Sequence, residues 1–115
     1  MHEYSVVSAL MDRVIEEAER RKARRVVKVT VSIGELAGVE VELVVTAFQT
    51  CREKTPLADT ELVVRAVATR WECPRCLKPR GRGEILACPD CGVPARLAAG
   101  DEIILDRIEM EVGDV

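Results

Sequence analysis

The chain has almost no aromatic residues: 3% of 115 positions, one each of Tyr4, Phe48 and Trp71. Stacking platforms for bases, sugars or methylated cations need several such rings, so recognition of that kind is excluded as a main function. Histidine is scarcer still, with His2 as the sole imidazole. Neither a catalytic triad nor a histidine-rich metal site can be assembled from one such residue, and no Gly-rich phosphate loop is present to support an NTPase. No apolar run approaches the ~20 residues of a membrane span. An excess of positive charge is also missing: the net charge of -3 and a pI near 5.3 argue against a general binder of polyanions. Glu3 and Asp12 interrupt the first apolar stretch where a secretory leader would need a basic start and a continuous apolar core, which makes a cytoplasmic location the expectation.

What is present describes a folded protein. Residues classed as hydrophobic make up 48% and charged ones 32%, enough apolar material for one small core at this length. Between residues 5 and 25, Val7, Leu10, Met11, Val14 and Ala18 recur at steps of three and four, predicting an amphipathic helix with Ser5 as its N-cap. Glu16 with Arg20 and Glu17 with Arg21 support it in the favourable order. The basic run from Arg20 to Arg25 reads as a solvated helix end or as a patch for a partner. Val27, Val29, Val31 and Ile33 then alternate with polar residues as in a strand with one buried face, ended by Gly34. Val41, Val44, Ala47, Phe48 and Cys51 return to helical spacing until Thr55 and Pro56, and Cys51 on that apolar face reads as a small core residue. Residues 60–70 predict a second strand through Leu62, Val64 and Ala66; Ile103 to Val112 predicts a third, its phase slipping near Asp106 as at a bulge.

The fold class that follows is α/β: a small three-stranded sheet with two helices, interrupted by a module rich in Cys, Pro, Gly and Arg. The expected division is residues 1–69 with 101–115 as the α/β domain and 70–100 as the inserted module. That module has too few apolar residues for a core of its own and requires a staple.

Five cysteines supply the means. Cys73-Pro-Arg-Cys76 and Cys88-Pro-Asp-Cys91 are two C-x-x-C knuckles eleven residues apart, enough for a hairpin that brings the pairs face to face. Four thiolates suit a tetrahedral Zn(II), with an iron–sulfur cluster or disulfides as the alternatives, and the closed coordination shell around zinc leaves no position for a reactive water. Pro74 and Pro89 stiffen the turns, and Gly92 permits the positive φ that such a turn needs. In this segment six basic residues face three acidic ones, and a zinc held by four thiolates removes two of the three excess positive charges. A nucleic-acid footprint on the ribbon is therefore weak.

At the amino terminus, Met1-His2-Glu3 has chelating geometry. The terminal amine and the His2 amide nitrogen close a five-membered ring on a metal, and that amide with the imidazole Nδ1 closes a six-membered one. The Glu3 amide, its carboxylate or a group from elsewhere can fill the fourth in-plane position, a donor set suited to Ni(II) or Cu(II).

Met1-His2-Glu3-Tyr4-Ser5, then Ile33-Gly34-Glu35-Leu36 with Ala47-Phe48, then the paired knuckles resemble the HypA/HybF hydrogenase maturation factors in order and spacing across nearly the whole chain. The resemblance implies a non-enzymatic nickel metallochaperone with Ni(II) as cargo, delivered for maturation of [NiFe] hydrogenase and in some organisms urease. It implies nickel at Met1, His2 and Glu3 and structural zinc at Cys73, Cys76, Cys88 and Cys91. It also implies a HypB-type GTPase, the hydrogenase large subunit and urease maturation proteins as partners, with neither nucleic acid nor membrane among them. Glu40, at the start of the second helix, is a further candidate nickel ligand, with an ordinary first-turn carboxylate as the alternative. The rival reading is a zinc-ribbon adaptor that binds protein or nucleic acid with no nickel role; a zinc hydrolase is disfavoured by the closed site. Neither knuckle is followed by a histidine, as some relatives' are, so an imidazole link between the two metals is not expected.

Overall fold

A computed structural model describes residues 2–113, with the side chain of His2 outside the described set. Helix α1 (His2–Arg20) buries Val7, Met11 and Val14, the stripe that the sequence spacing predicts. Its ends differ from expectation. Ser5 is an exposed residue inside the helix rather than its cap, because the helix begins at His2. It stops at Arg20, well before Arg25: Lys22 turns the chain with φ 53 and donates to the Glu19 carbonyl at 3.1 Å. A lysine in the left-handed region carries none of the glycine signal that marks a helix end. Glu17 receives Arg21 at 3.0 Å and Arg20 at 2.9 Å; the hydrogen bond from Arg21 is the chief reason its carboxyl stays below the usual range.

Strand β1 (Ala23–Gly34) is the centre of the first sheet, so Arg24 and Arg25 of the basic run belong to a strand rather than to a helix end. Helix α2 (Val41–Cys51) buries Val44, Ala47 and Phe48, and half-buried Cys51 packs against the same core as expected. It ends at Cys51, four residues ahead of Thr55, and a series of turns leads to Leu57, which is fully buried. Thr60, also buried, donates its hydroxyl to the Val26 carbonyl at 2.8 Å and fixes the start of β2 (Glu61–Val67) beside β1. β2 runs parallel to β1, as a strand–helix–strand crossover requires. Its Leu62 and Val64 pack on the core, while Ala66 is exposed.

The stretch 60–70 is not one strand. After Val67 the chain breaks, and β3 (Arg70–Glu72) belongs to a second sheet with β4 (Pro79–Arg80) and β5 (Arg96–Ala99), in the order β4-β3-β5. Strand β6 (Ile103–Val112) returns to the first sheet, antiparallel to β1, giving β2-β1-β6. The slip inferred near Asp106 is present: Thr30 opposes Arg107 and Val31 opposes Leu105, so Asp106 is left unpaired. Its carboxylate accepts the Ser32 hydroxyl, with Arg65 4.0 Å away. The molecule is elongated, 57 × 35 × 16 Å, and no helix among the described residues is long and apolar enough to cross a membrane.

Candidate metal centre

The two knuckles are built alike. In the first, the Leu77 amide donates to the Cys73 carbonyl at 2.8 Å and the Cys73 amide to the Lys78 carbonyl at 3.1 Å. In the second, Gly92 donates to Cys88 at 2.8 Å and Cys88 to Val93 at 2.8 Å. Both need a left-handed residue just after the second cysteine: Gly92 has φ 72, and Leu77, a residue type that does not signal such a turn, has φ 63. Among the described residues only the first knuckle aims amides at its sulfur, with Arg75 and Cys76 each 3.4 Å from Cys73 Sγ.

These turns bring Cys73, Cys76, Cys88 and Cys91 together with their sulfurs all within 4.8 Å of one another. A zinc about 2.3 Å from each of four tetrahedral sulfurs sets them roughly 3.8 Å apart, and Cys76 Sγ lies 3.9 Å from Cys88 Sγ. The donor set and its spacing fit structural zinc. The Cys76 amide, with that of Arg75, draws the Cys73 thiol down to about 6 against the opposing effect of burial. Burial first, then the neighbouring Cys73 and Cys76 sulfurs, push Cys91 up to about 12. One sulfur is thus ready to bind a cation, whereas another gives up its proton only when a cation arrives to offset the accumulated charge.

Met1 and the imidazole of His2 lie outside the described residues. Of the amino-terminal candidates the structure places Glu3, whose carboxylate accepts the backbone N–H of Glu40 at 3.2 Å. Glu3 and Glu40 are brought together at the meeting of the α1 and α2 starts, although 37 residues separate them in sequence. The Glu40 side chain makes no cap hydrogen bond to α2.

Sequence reasoning missed the role of Gly34 and Glu35. The Gly34 amide donates to Glu102 at 2.9 Å, Glu35 to Val67 at 3.0 Å and Leu36 to Gly100 at 2.7 Å. The Glu35 carboxylate accepts the Thr69 amide at 2.6 Å. A Cβ on Gly34 would overlap the Gly100 carbonyl and stand 2.8 Å from the Asp101 nitrogen. This segment clamps both chain crossings between the two sheets and leads directly to Glu40.

The family model described as hydrogenase/urease nickel incorporation metallochaperone HypA matches residues 1–110. The chain belongs to the HypA family. It is 40% identical to the hydrogenase maturation factor HypA of Caldanaerobacter subterraneus subsp. tengcongensis over 114 residues, covering 96% of this chain and all of that one. Against HypA of Aquifex aeolicus the identity is 35% over 114 residues, covering 97% and 99%. The solution structure of the nickel metallochaperone HypA from Helicobacter pylori matches with a TM-score of 0.73 at 31% identity, covering 96% and 98%. A second HypA solution structure gives 0.77 at 32%, covering 96% of each chain. HypA is thus a nickel metallochaperone family serving hydrogenase maturation, and this HypA chain adds a four-cysteine cluster compatible with structural zinc.

Proposed function

We propose that this HypA protein carries Ni(II) on its amino terminus, held by the Met1 amine and the His2 backbone and imidazole nitrogens, with Glu3 completing the set. The observation that carries the reading is the Glu3 carboxylate seated on the Glu40 amide, which anchors the terminal segment on the opening of α2. Glu40, with no capping duty for its own carboxylate, is the candidate for an additional ligand or for handing the ion over. The nitrogen donors favour Ni(II) over Zn(II), while the four cysteines favour zinc, so one chain keeps cargo and structural ion apart by ligand chemistry. Residues 1–69 with 101–115 form the nickel-binding unit and 70–100 the zinc ribbon. The protein works without catalysis of its own, in the cytoplasm. A HypB-type GTPase and the [NiFe] hydrogenase large subunit are its partners, and urease maturation proteins join them where urease is also served.

Nickel titration by calorimetry on zinc-loaded protein tests this. His2→Ala should abolish specific nickel binding while zinc content and fold persist. A Gly-Ser extension ahead of Met1, which turns the amine into an amide, should weaken nickel binding just as severely. Unchanged affinity and stoichiometry in both would remove the terminal site and leave the adaptor reading.

A further inference from the structure

We propose that Arg80 is a countercharge of the zinc centre, a positioning residue whose guanidinium offsets part of the double negative charge of four thiolates around one zinc and so helps to keep the metal bound. The proposal rests on the reading of the four cysteines as a zinc site.

Zinc carries two positive charges and four thiolates carry four negative ones, so the filled site is a dianion. Cys73 is fully buried and Cys88 is 2% exposed, so water cannot solvate that charge on their side. The protein must supply the compensation, and it does so unevenly. Cys73 Sγ has the Arg75 and Cys76 amides. Among the described residues no amide is aimed at Cys88 Sγ, which has only the other sulfurs beside it, that of Cys76 at 3.9 Å.

Most of the ribbon's cations are too exposed to fill that role. Arg75, Arg82 and Arg96 lie at the surface, Arg96 being paired with Glu72 at 2.7 Å. Lys78 is 65% exposed and sits 3.8 Å from Asp90. Arg80 differs: its side chain is 9% exposed. It leaves β4 directly after the first knuckle, and its Nε points at the Lys78 carbonyl, 3.5 Å away, the same carbonyl that accepts the Cys73 amide. Glu84 stands 3.5 Å from its Nη1 and is itself fixed by accepting the Gly81 amide at 3.2 Å. Burial works to strip the guanidinium of its proton, yet the attraction of Cys88, Glu84, Cys76 and Asp90 outweighs it and holds the charge more firmly than usual. A planar, weakly hydrated cation is the type that tolerates such a position. Zinc in place of thiol protons leaves the site more negative, so a fixed positive charge favours the filled state.

The test follows transfer of zinc from the full-length, zinc-loaded protein to the chromogenic chelator pyridylazoresorcinol at fixed pH and ionic strength. Arg80→Met keeps the apolar stem and removes the charge; Arg80→Lys keeps a charge. Outer partners of metal sites typically change affinity by roughly 10–100-fold, and a loss of that order is expected for Arg80→Met, with most of it restored in Arg80→Lys. In zinc-stripped protein, parent and Arg80→Met should unfold alike. Equal zinc retention in parent and Arg80→Met would overturn the proposal, as would equal weakening by both substitutions or an Arg80→Met defect already present without zinc. Absence of zinc from the carefully reduced parent would instead overturn the zinc reading, and the proposal with it.

Discussion

The two sheets are stabilised by different means. The buried apolar core of the β2-β1-β6 sheet and its helices includes Val7, Val14, Val29, Val31, Ile33, Val44, Phe48 and Leu57. Among the described residues of the ribbon, the buried apolar side chains are those of Cys73 and Cys88, in the knuckles between the strands of the β4-β3-β5 sheet. One half excludes water from hydrocarbon, as larger proteins do; the other puts sulfur where a core would be. The difference teaches that this chain has two independent sources of order, one that depends on temperature and denaturant and one that depends on a metal.

The largest effect should come from removing the second source. Cys73→Ala or Cys91→Ala, or stripping with a chelator, should unfold the ribbon while the helices and the first sheet persist. Zinc binding in small modules is worth roughly 10–16 kcal/mol, which the ribbon's few apolar contacts cannot replace. Two-dimensional NMR resolves the halves; an intact ribbon spectrum without metal would erase the contrast. Next comes Gly34→Ala, which strikes the clamp shared by both halves. The added methyl meets backbone, which cannot move aside, so destabilisation at or above the upper end of roughly 1–3 kcal/mol is expected by thermal or denaturant unfolding.

Within the ribbon the knuckles can be set against each other. Leu77 has φ 63 and is 60% exposed, so Leu77→Gly relieves strain at little apolar cost. It should slow zinc loss, whereas Gly92→Ala, at φ 72, should hasten it, each change worth about 1 kcal/mol. The smallest effect is a matter of protons. In the folded knuckles Cys73 is held at about 6 and Cys91 at about 12, whereas in the unfolded, zinc-free ribbon both thiols keep the ordinary value near ~8.5. Zinc uptake, which folds the ribbon, should therefore release both protons throughout the neutral range. Proton release should fall as pH rises through ~8.5, as calorimetry in buffers of different ionisation enthalpy will record.

Features written in local spacing were legible in the sequence. The stripe of Val7, Met11 and Val14, the alternation through Ile33 and the phase slip at Asp106 each reflect a period that burial imposes on neighbours. The convergence of four sulfurs followed from the two knuckles, since the distance between them is short. Helix ends were less legible, because Lys22 adopts a conformation that its side chain does not advertise. The split between β2 and β3 was hidden by β-formers on both sides of it. The clamp was illegible for a different reason: Gly34, Glu35 and Leu36 find their partners at Val67, Thr69, Gly100 and Glu102, too far along the chain for any local pattern to register.

The clamp also determines how the first sheet experiences its insertion. β2 ends at Val67 opposite Gly34, β6 begins at Ile103 opposite Ile33, and a Cβ on Gly100 would lie 2.6 Å from the Thr69 Cα. The chain therefore departs and returns at nearly one point. Seen from the first sheet, the thirty-odd intervening residues are a closed loop whose ends already touch, and closure entropy varies only slowly with such a loop's length. The ribbon can be lengthened, shortened or replaced by a brief turn with little penalty to the sheet that carries it, so this position is a modular socket into which other metal-binding loops can be grafted.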